Sequence, residues 1–130
     1  AGIKTMKPIL IYEKLDLIGP VDSILVSEEI NGIRLDKKLE KNHDTYKIAS
    51  TISNFFKRLL WISFNHGDAK SSNFFVNENK LVVFDLDSSK RFFLASSLKR
   101  KIKRDKRRIN RSLKGSVNLA SALNLRIKDK

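Results

Sequence analysis

Four polar residues, Asp68, Lys70, Asn73 and Asp85, have the types and the spacing that phosphoryl transfer requires. This reaction needs an oriented acceptor hydroxyl and neutralised phosphate charge, with little covalent work by the protein. Asp68 would accept or orient the acceptor proton, and Lys70 would reach the transferring phosphate. Asn73 and Asp85 would supply hard oxygen ligands to Mg²⁺, which usually takes one or two carboxylates and keeps several waters.

The same residues also have a plainer interpretation. Asp, Lys, Ser and Asn are common in turns, and the Asp-Leu-Asp of residues 85–87 could simply end a strand. The polar segments at residues 68–73 and 85–87 occur in the right order on either side of a predicted hairpin. Together they favour the interpretation as a functional site. Asp87 is a candidate to support the loop or a second metal position.

The segment from His66 to Asn73 resembles the catalytic loop of protein kinases, H-R-D-L-x-x-x-N, in which the Asp is the base and the Asn binds metal. Asp68 and Asn73 keep that spacing. In the protein-kinase catalytic loop that residues 66–73 resemble, the counterpart of His66 braces the loop, so His66 is expected to do the same and to have no catalytic role. Asp85 corresponds to the metal-binding Asp of the Asp-Phe-Gly motif, although Asp-Leu-Asp stands here. Gly67 replaces the usual arginine. Both departures suit a small-molecule or glycolipid kinase better than a signalling kinase.

Residues 1 to about 115 resemble the back half of bacterial lipopolysaccharide core kinases, the heptose and 3-deoxy-D-manno-octulosonic acid (Kdo) kinases. The matching segments are His-Gly-Asp at 66–68, Asn-Phe-Phe-Val at 73–76, Val-Phe-Asp-Leu-Asp at 83–87 and the basic segments at 104–105 and 107–113. The resemblance implies ATP and Mg²⁺ as cofactors. It also implies a lipopolysaccharide or lipid A–core acceptor and a cytoplasmic location, peripheral at the inner face of the membrane.

The resemblance further implies an α+β, protein-kinase-like fold. Residues 1–32 would be a remnant of the small lobe, with its fourth and fifth strands and the hinge. Residues 33–130 would be the mostly helical large lobe with a catalytic-loop β-hairpin. In the hinge, backbone groups near Glu28 and Ile30 would bind the adenine edge, with Ser27 as gatekeeper. A plain strand-to-helix connection explains these residues equally well.

Hydrophobic periodicity predicts the elements that must position the site. Strands are predicted at 8–13, 23–27, 73–76 and 81–84, with a turn at 77–80, and helices at 35–41, 45–63, 96–113 and 117–127. Trp61 and Phe64 are expected to pack beneath the catalytic loop. Ser96 or Ser97 is the expected cap of the basic helix, and Gly115 its end.

The length of 130 residues allows at most one domain, whereas a two-lobed kinase needs more. The sequence has no G-x-G-x-x-G motif and no V-A-I-K-like strand lysine. We therefore expect a truncated chain that is nearly inactive by itself. Zero cysteines exclude a disulfide scaffold, and no apolar run approaches the length of a membrane-spanning helix.

The net charge of +13 comes entirely from residues 90–130, which contain 15 basic and 2 acidic side chains. An anionic membrane surface or lipopolysaccharide would attract such a segment. Nucleic acid is a second possible partner, but the segment has only Phe92 and Phe93 as aromatic residues, both before the dense basic run, so a stacking platform is missing. A solvated helix face is the third interpretation.

Other functions stay open from the residues alone. Another atypical kinase with an H-G-D loop, of the RIO or RNA-modification type, would carry the same motif. A non-catalytic module, either a pseudokinase remnant or a basic nucleic-acid-binding protein, is the alternative from a different class. The intact set of Asp68, Asn73 and Asp85 argues against a pseudokinase.

Overall fold

The structure, a computed structural model, describes residues 3–40, 45–78 and 80–113 and has mixed α+β architecture. In chain order its elements are β1 Lys4–Thr5, β2 Pro8–Leu15, β3 Pro20–Ser27, β4 Ile33–Arg34, α1 Leu35–Glu40, α2 Thr45–Trp61, β5 Phe64–Asn65, a 3₁₀ turn Ser71–Asn73, β6 Phe74–Asn77, β7 Lys80–Val83, β8 Lys90–Arg91 and α3 Ala95–Ser112. The α+β class is therefore confirmed, whereas the division into lobes at residue 32 stays a prediction.

Helix α2 forms the centre of the hydrophobic core. Of the six apolar residues that recur every three or four positions, Ile48, Ile52, Phe55, Phe56 and Leu59 become buried, whereas Ile62 lies after the helix and is half-buried. The expectation for Trp61 was wrong, because its side chain is 78% exposed. Two residues beyond Leu59, at 100° per residue, Trp61 projects from the opposite side of the helix. Phe64 is half-buried and packs against the core, as expected.

Helix α3 lies against the core through a stripe of buried residues, Leu98, Ile102, Asp105 and Ile109, continued by the buried Leu113 after the helix. The serine cap was wrong, because Leu94 is the N-cap and no side chain caps this end. The Leu94 carbonyl instead accepts the hydrogen bond of the Leu98 N–H at 3.1 Å. The predicted helix end at Gly115 and the helix at 117–127 lie outside the described residues.

A four-stranded sheet in the order β1-β7-β6-β4 carries the catalytic-loop hairpin. Strands β6 and β7 are antiparallel neighbours, with Phe74 opposite Val83 and Asn77 opposite Lys80. The turn is therefore shorter than the predicted 77–80, because its two outer residues are already paired. Phe74, Val76 and Val83 face the core beside α2, which fixes the hairpin against the central helix.

The β2–β3 hairpin differs from the rest because its apolar side chains are exposed. The two strands pair over most of their length, from Pro8 opposite Ser27 to Leu15 opposite Pro20. Exposed apolar residues along the hairpin are Ile9, Leu10, Ile11, Tyr12, Leu15, Leu17, Ile18, Val21, Ile24, Leu25 and Val26. Within the described residues, the hydrophobic core does not include this hairpin.

None of the helices in the described ranges is both long and apolar enough to cross a lipid bilayer.

Candidate active site

The residues predicted to transfer phosphate come together at one end of the β6–β7 hairpin. The Asn73 side-chain amide Nδ2 donates to Asp85 Oδ2 and to the Asp68 backbone oxygen, each at 3.0 Å. The Phe84 N–H also donates to the Asn73 carbonyl at 3.2 Å. This register of the antiparallel hairpin brings the residue before β6 beside the residues after β7. Two segments twelve residues apart thus meet at one point.

Asp68, the predicted base, lies between two cations. Its Oδ2 is 3.1 Å from Lys70 Nζ, and its Oδ1 is 2.8 Å from Arg108 Nε. Oδ1 is buried and accepts no hydrogen bond in the described structure, so the Arg108 contact is an ion pair without hydrogen-bond geometry. Burial favours a raised pKa for Asp68, but the Lys70 hydrogen bond and the Arg108 charge outweigh it, and the pKa is lowered. Asp68 is therefore held as a carboxylate.

Lys70 is partly exposed and lies where an anion can approach Asp68. Its backbone belongs to the loop turn, since the Lys70 N–H donates to the Asp68 carbonyl and the Lys70 carbonyl accepts from the Asn73 N–H, both at 2.9 Å. Those bonds fix the spacing of Asp68, Lys70 and Asn73. The ammonium group itself stays at the surface, where it can exchange the Asp68 carboxylate for a phosphate.

His66 braces the loop, as the sequence predicted. Its side chain is buried between the rings of Phe55 and Phe74, with centroid distances of 6.4 and 5.3 Å. Its Nδ1 accepts the Asp68 N–H at 3.3 Å, while the buried Nε2 has no partner among the described residues. Burial lowers the pKa of His66, so the neutral ring is the favoured form.

Asp105 is a buried acidic residue that the sequence analysis missed. Its Oδ2 accepts the backbone N–H groups of His66 at 2.9 Å and Gly67 at 3.1 Å, and Asn65 Nδ2 lies 3.4 Å away. The carboxylate therefore holds the start of the catalytic loop against α3. A signal was present in the sequence, because Asp105 is the single acidic residue of α3 and falls in line with its apolar stripe.

Gly67 has a structural reason to be glycine. Its φ of +87° lies in the left-handed region, which side chains rarely adopt. A Cβ atom there would also collide with the Ser88 backbone carbonyl. The close approach of residues 67 and 88 brings the segment after Asp85 across the catalytic loop.

The C-terminal end of α3 holds the other end of the loop. The Ser71 N–H donates to Ser112 Oγ at 2.8 Å, and Ser71 Oγ donates to the Ser112 carbonyl at 3.3 Å. Ser112 Oγ in turn donates to the Ile109 carbonyl at 2.8 Å. With Asp105 at one end and Ser112 at the other, α3 positions both ends of the segment that carries Asp68 and Lys70.

Asn73 and Asp85 have the donor atoms that a magnesium ion bound with a nucleotide needs. Among the described residues, no three His, Cys, Asp or Glu side chains gather into a metal site of their own. One carboxylate and one amide oxygen instead fit an ion that takes its other ligands from phosphate and water. Asp85 is exposed, and Asn73 Oδ1 has the Ser72 hydroxyl as a distant contact at 3.5 Å. The Asp85 carboxylate is therefore open to solvent, whereas Asn73 is only 4% exposed.

The predicted adenine contacts lie in a separate segment. Glu28 and Ile30 are in the extended connection between β3 and β4. The Glu28 N–H donates to the Lys7 carbonyl at 3.0 Å, and its carboxylate pairs with Lys7 Nζ at 2.9 Å. The end of this connection is tied to the catalytic hairpin, because Ile33 of β4 pairs with Val76 of β6.

Asp87 immediately precedes Ser88, the residue whose backbone lies against Gly67 of the catalytic loop. It lines a cavity of about 370 Å³ together with Gly67, Ser88, Lys90 and Arg104. The Asn73–Asp85 contact does not involve it. A role in supporting the loop or a second metal position therefore stays a prediction.

Comparison with known proteins gives one family. The model of the lipopolysaccharide kinase (Kdo/WaaP) family matches residues 1–128, nearly the whole chain. None of the curated proteins matches the chain. The family agrees with the resemblance that the motifs at residues 66–87 indicated.

Proposed function

Since the chain belongs to the lipopolysaccharide kinase (Kdo/WaaP) family, we propose that it transfers the γ-phosphate of ATP, with Mg²⁺, to a sugar hydroxyl of the lipopolysaccharide inner core. The acceptor sugar is Kdo or a heptose. The observation that carries this proposal is the convergence of Asp68, Asn73 and Asp85, joined by the two 3.0 Å hydrogen bonds of the Asn73 amide.

Asp68 serves as the base. The acceptor hydroxyl oxygen forms a bond to the γ-phosphorus, the bond from that phosphorus to the bridging oxygen of ADP breaks, and the hydroxyl proton passes to Asp68. A lowered pKa keeps Asp68 ionised and able to accept that hydrogen. The buried Oδ1, which accepts no hydrogen bond in the described structure, is the oxygen assigned to the hydroxyl.

Lys70, Asn73 and Asp85 manage the phosphate charge. The exposed ammonium group of Lys70 would leave Asp68 Oδ2 and contact the transferring phosphate instead. Asn73 Oδ1 and the Asp85 carboxylate would hold Mg²⁺, which would supply positive charge to the phosphate oxygens. The Asn73–Asp85 hydrogen bond keeps both ligands at one position before nucleotide arrives.

Glu28 and Ile30 supply the backbone groups for the adenine ring. The Glu28 N–H already bonds to Lys7, which leaves its carbonyl as the acceptor for the adenine amino group. The pairing of β4 with β6 supports the same proposal, because it attaches this segment to the hairpin that carries Asn73. Adenine and phosphate sites would then share one rigid connection.

The chain acts at the cytoplasmic face of the inner membrane in this proposal. ATP is available there, and an anionic leaflet attracts clustered Lys and Arg side chains. The excess of basic residues between 90 and 130 supports that placement.

The test begins with nucleotide binding. Thermal unfolding of the chain is measured with and without Mg-ATP, for the wild-type protein, Asp85→Asn and Asp22→Asn. The third protein is the matched control, because it loses the same charge on the exposed β3 strand. We expect stabilisation that requires the metal and is lost in Asp85→Asn alone. Asparagine is the chosen replacement because it tolerates the Asp85 φ of +59°.

The second part measures single-turnover transfer of labelled phosphate from ATP to inner-core oligosaccharide, with protein in excess so that the slow reaction expected of this chain is detectable, and with Asp68→Asn as comparison. We expect loss of about 10²–10³-fold in Asp68→Asn, the scale of removing one group that acts in the transition state. Equal transfer by wild type and Asp68→Asn would show that Asp68 is not the base. Stabilisation by Mg-ATP that persists in Asp85→Asn would remove Asp85 from the metal site.

A further inference from the structure

A groove of about 930 Å³ runs between α3 and the catalytic loop. Nine residues line it: Lys70, Arg100, Lys101, Lys103, Arg104, Arg107, Arg108, Arg111 and Ser112. Eight of these are cations, and none is a carboxylate. The groove carries more cations than the cavity beside Ile3 and Phe55 or the cavity beside Asp87.

Its charge is arranged along one helix face. The five arginines recur at three- and four-residue spacing, which places them on the side of α3 away from the buried stripe. Within the described residues, Arg108 is the one α3 cation that pairs with a carboxylate. The other cations repel one another across the groove unless an anion enters. Arginine is suited to that role, because its planar guanidinium binds phosphate or carboxylate through two hydrogen bonds.

The groove reaches the candidate active site at Asp68, the residue assigned as the general base. Lys70 and Arg108, the two cations that hold Asp68, both line it. Asn73 and Asp85 do not line it. An anion in the groove can therefore lie beside Asp68, next to the oxygen assigned to the acceptor hydroxyl, without occupying the proposed metal position.

We propose that this groove binds the negatively charged groups, phosphate or carboxylate, of the acceptor oligosaccharide and thereby selects an anionic acceptor. The inference rests on the proposed function, because it assigns the groove to the acceptor of that reaction. An anion in the groove also competes with Asp68 for Arg108. Release of Arg108 frees Asp68 Oδ1 for the acceptor hydroxyl, so the acceptor's own charge prepares the base.

Other anionic partners fit the groove less well. No aromatic side chain lines it, and single-stranded nucleic acid needs aromatic rings on which bases stack. A lipid surface is flat, whereas these cations surround a recess next to a catalytic carboxylate. The compact charged group of a saccharide fits both the shape and the position.

The experiment measures binding without nucleotide, by calorimetric titration with deacylated inner-core oligosaccharide. The same oligosaccharide after removal of its phosphates and reduction of its carboxylates is the uncharged probe. The groove variant is Arg104→Gln/Arg107→Gln. Its matched control is Lys99→Gln/Lys106→Gln, which removes the same charge from α3 at positions that do not line the groove. Circular-dichroism melts check that each variant folds.

We expect the groove variant to bind the charged oligosaccharide about tenfold or more weakly, because it loses two charge-assisted contacts. The control should change affinity by less than about twofold, the scale of distant, screened charges. Arg104→Lys/Arg107→Lys should recover part of the affinity. If the groove variant itself fails to fold, that lysine variant replaces it in the comparison with the control.

Several results would overturn the groove assignment. These are no binding of the charged oligosaccharide to the wild-type protein, equal losses in groove and control variants, or equal binding of the uncharged probe. The same proteins are also titrated with phosphatidylglycerol vesicles and with polyuridylate. If the groove variant loses affinity only for the vesicles, or only for polyuridylate, the groove binds a membrane or RNA instead. The binding titration contains no nucleotide and is independent of transfer. Groove-dependent binding, together with no transfer in the separate single-turnover assay, would contradict the proposed function alone. Transfer with unchanged binding in the groove variant would contradict the groove alone.

Discussion

Asp105 follows His66 by 39 residues, yet its Oδ2 accepts the His66 backbone N–H at 2.9 Å. The same oxygen accepts the Gly67 N–H at 3.1 Å, and the carboxylate is 2% exposed. A buried carboxylate is costly unless donors satisfy it, and here the donors are the backbone of the catalytic loop. Helix α3 and the loop that carries Asp68 therefore depend on each other.

Replacement of Asp105 should destabilise the fold. Asp105→Ala leaves two buried N–H groups without an acceptor, and we expect a loss of about 3 kcal/mol in the free energy of unfolding. Asp105→Asn keeps an acceptor oxygen and should lose less. Urea unfolding of both variants measures this, with Lys99→Ala as an exposed α3 control. A loss in Asp105→Ala no larger than in that control would contradict the role given to Asp105.

Gly67→Ala should destabilise the fold more than Gly19→Ala, although both glycines have a positive φ. Gly19 also has positive φ, at +142°, but a Cβ there meets no atom within 4 Å, whereas at Gly67 it collides with Ser88. Conformational strain costs about 1–3 kcal/mol, and overpacking costs about as much again. We expect Gly67→Ala to lose clearly more unfolding free energy than Gly19→Ala. Equal losses would mean that the crossing of Ser88 relaxes freely.

The stability of the chain should fall below neutral pH because of His66. Burial lowers the folded-state pKa of His66 from about 6.5, so the unfolded state binds its proton more readily. The stabilisation is complete above pH 6.5 and is lost as the pH falls through the folded-state pKa. His66→Asn removes the titration and keeps an acceptor for the Asp68 N–H.

Urea unfolding between about pH 7.5 and pH 5 measures this effect. The slope of stability against pH should become flatter in His66→Asn and stay unchanged in Lys99→Asn, an exposed α3 control. Identical slopes in all three proteins would show that His66 titrates as it does in the unfolded chain.

Arg108→Gln should raise the pKa of Asp68. Burial already acts to raise it, and the Lys70 hydrogen bond and the Arg108 charge hold it below the ordinary value of 3.8. A lowered folded-state pKa gives stability above pH 3.8 that is lost as the pH falls through that pKa. Carboxyl-carbon NMR titration of Asp68 follows the change directly, with Lys99→Gln as the control. A carboxyl that titrates at the same pH in Arg108→Gln and wild type would show that solvent screens this pair.

The sequence by itself indicated the helices, the longer strands and the family, whereas the two-residue strands β1, β4, β5 and β8 were not predicted. Apolar residues at helical spacing fixed α2, because only one face of that helix can enter the core. The spacing of Asp68, Asn73 and Asp85 indicated phosphoryl transfer, and the family match over residues 1–128 agrees with it. These features are local, since each depends on residues within one helix, one loop or one hairpin.

Only the tertiary structure decided which distant residues complete the site. Arg108 reaches Asp68, and Asp105 reaches the loop backbone, because α3 packs against α2 and β5. The sequence of α3 shows its positive charge but not which residue that charge contacts. In the same way, the sequence shows that Trp61 is apolar but not which way its side chain points. The packing of α3 turns its opposite face toward Lys70, and long-range packing of this kind leaves no fixed spacing in the sequence.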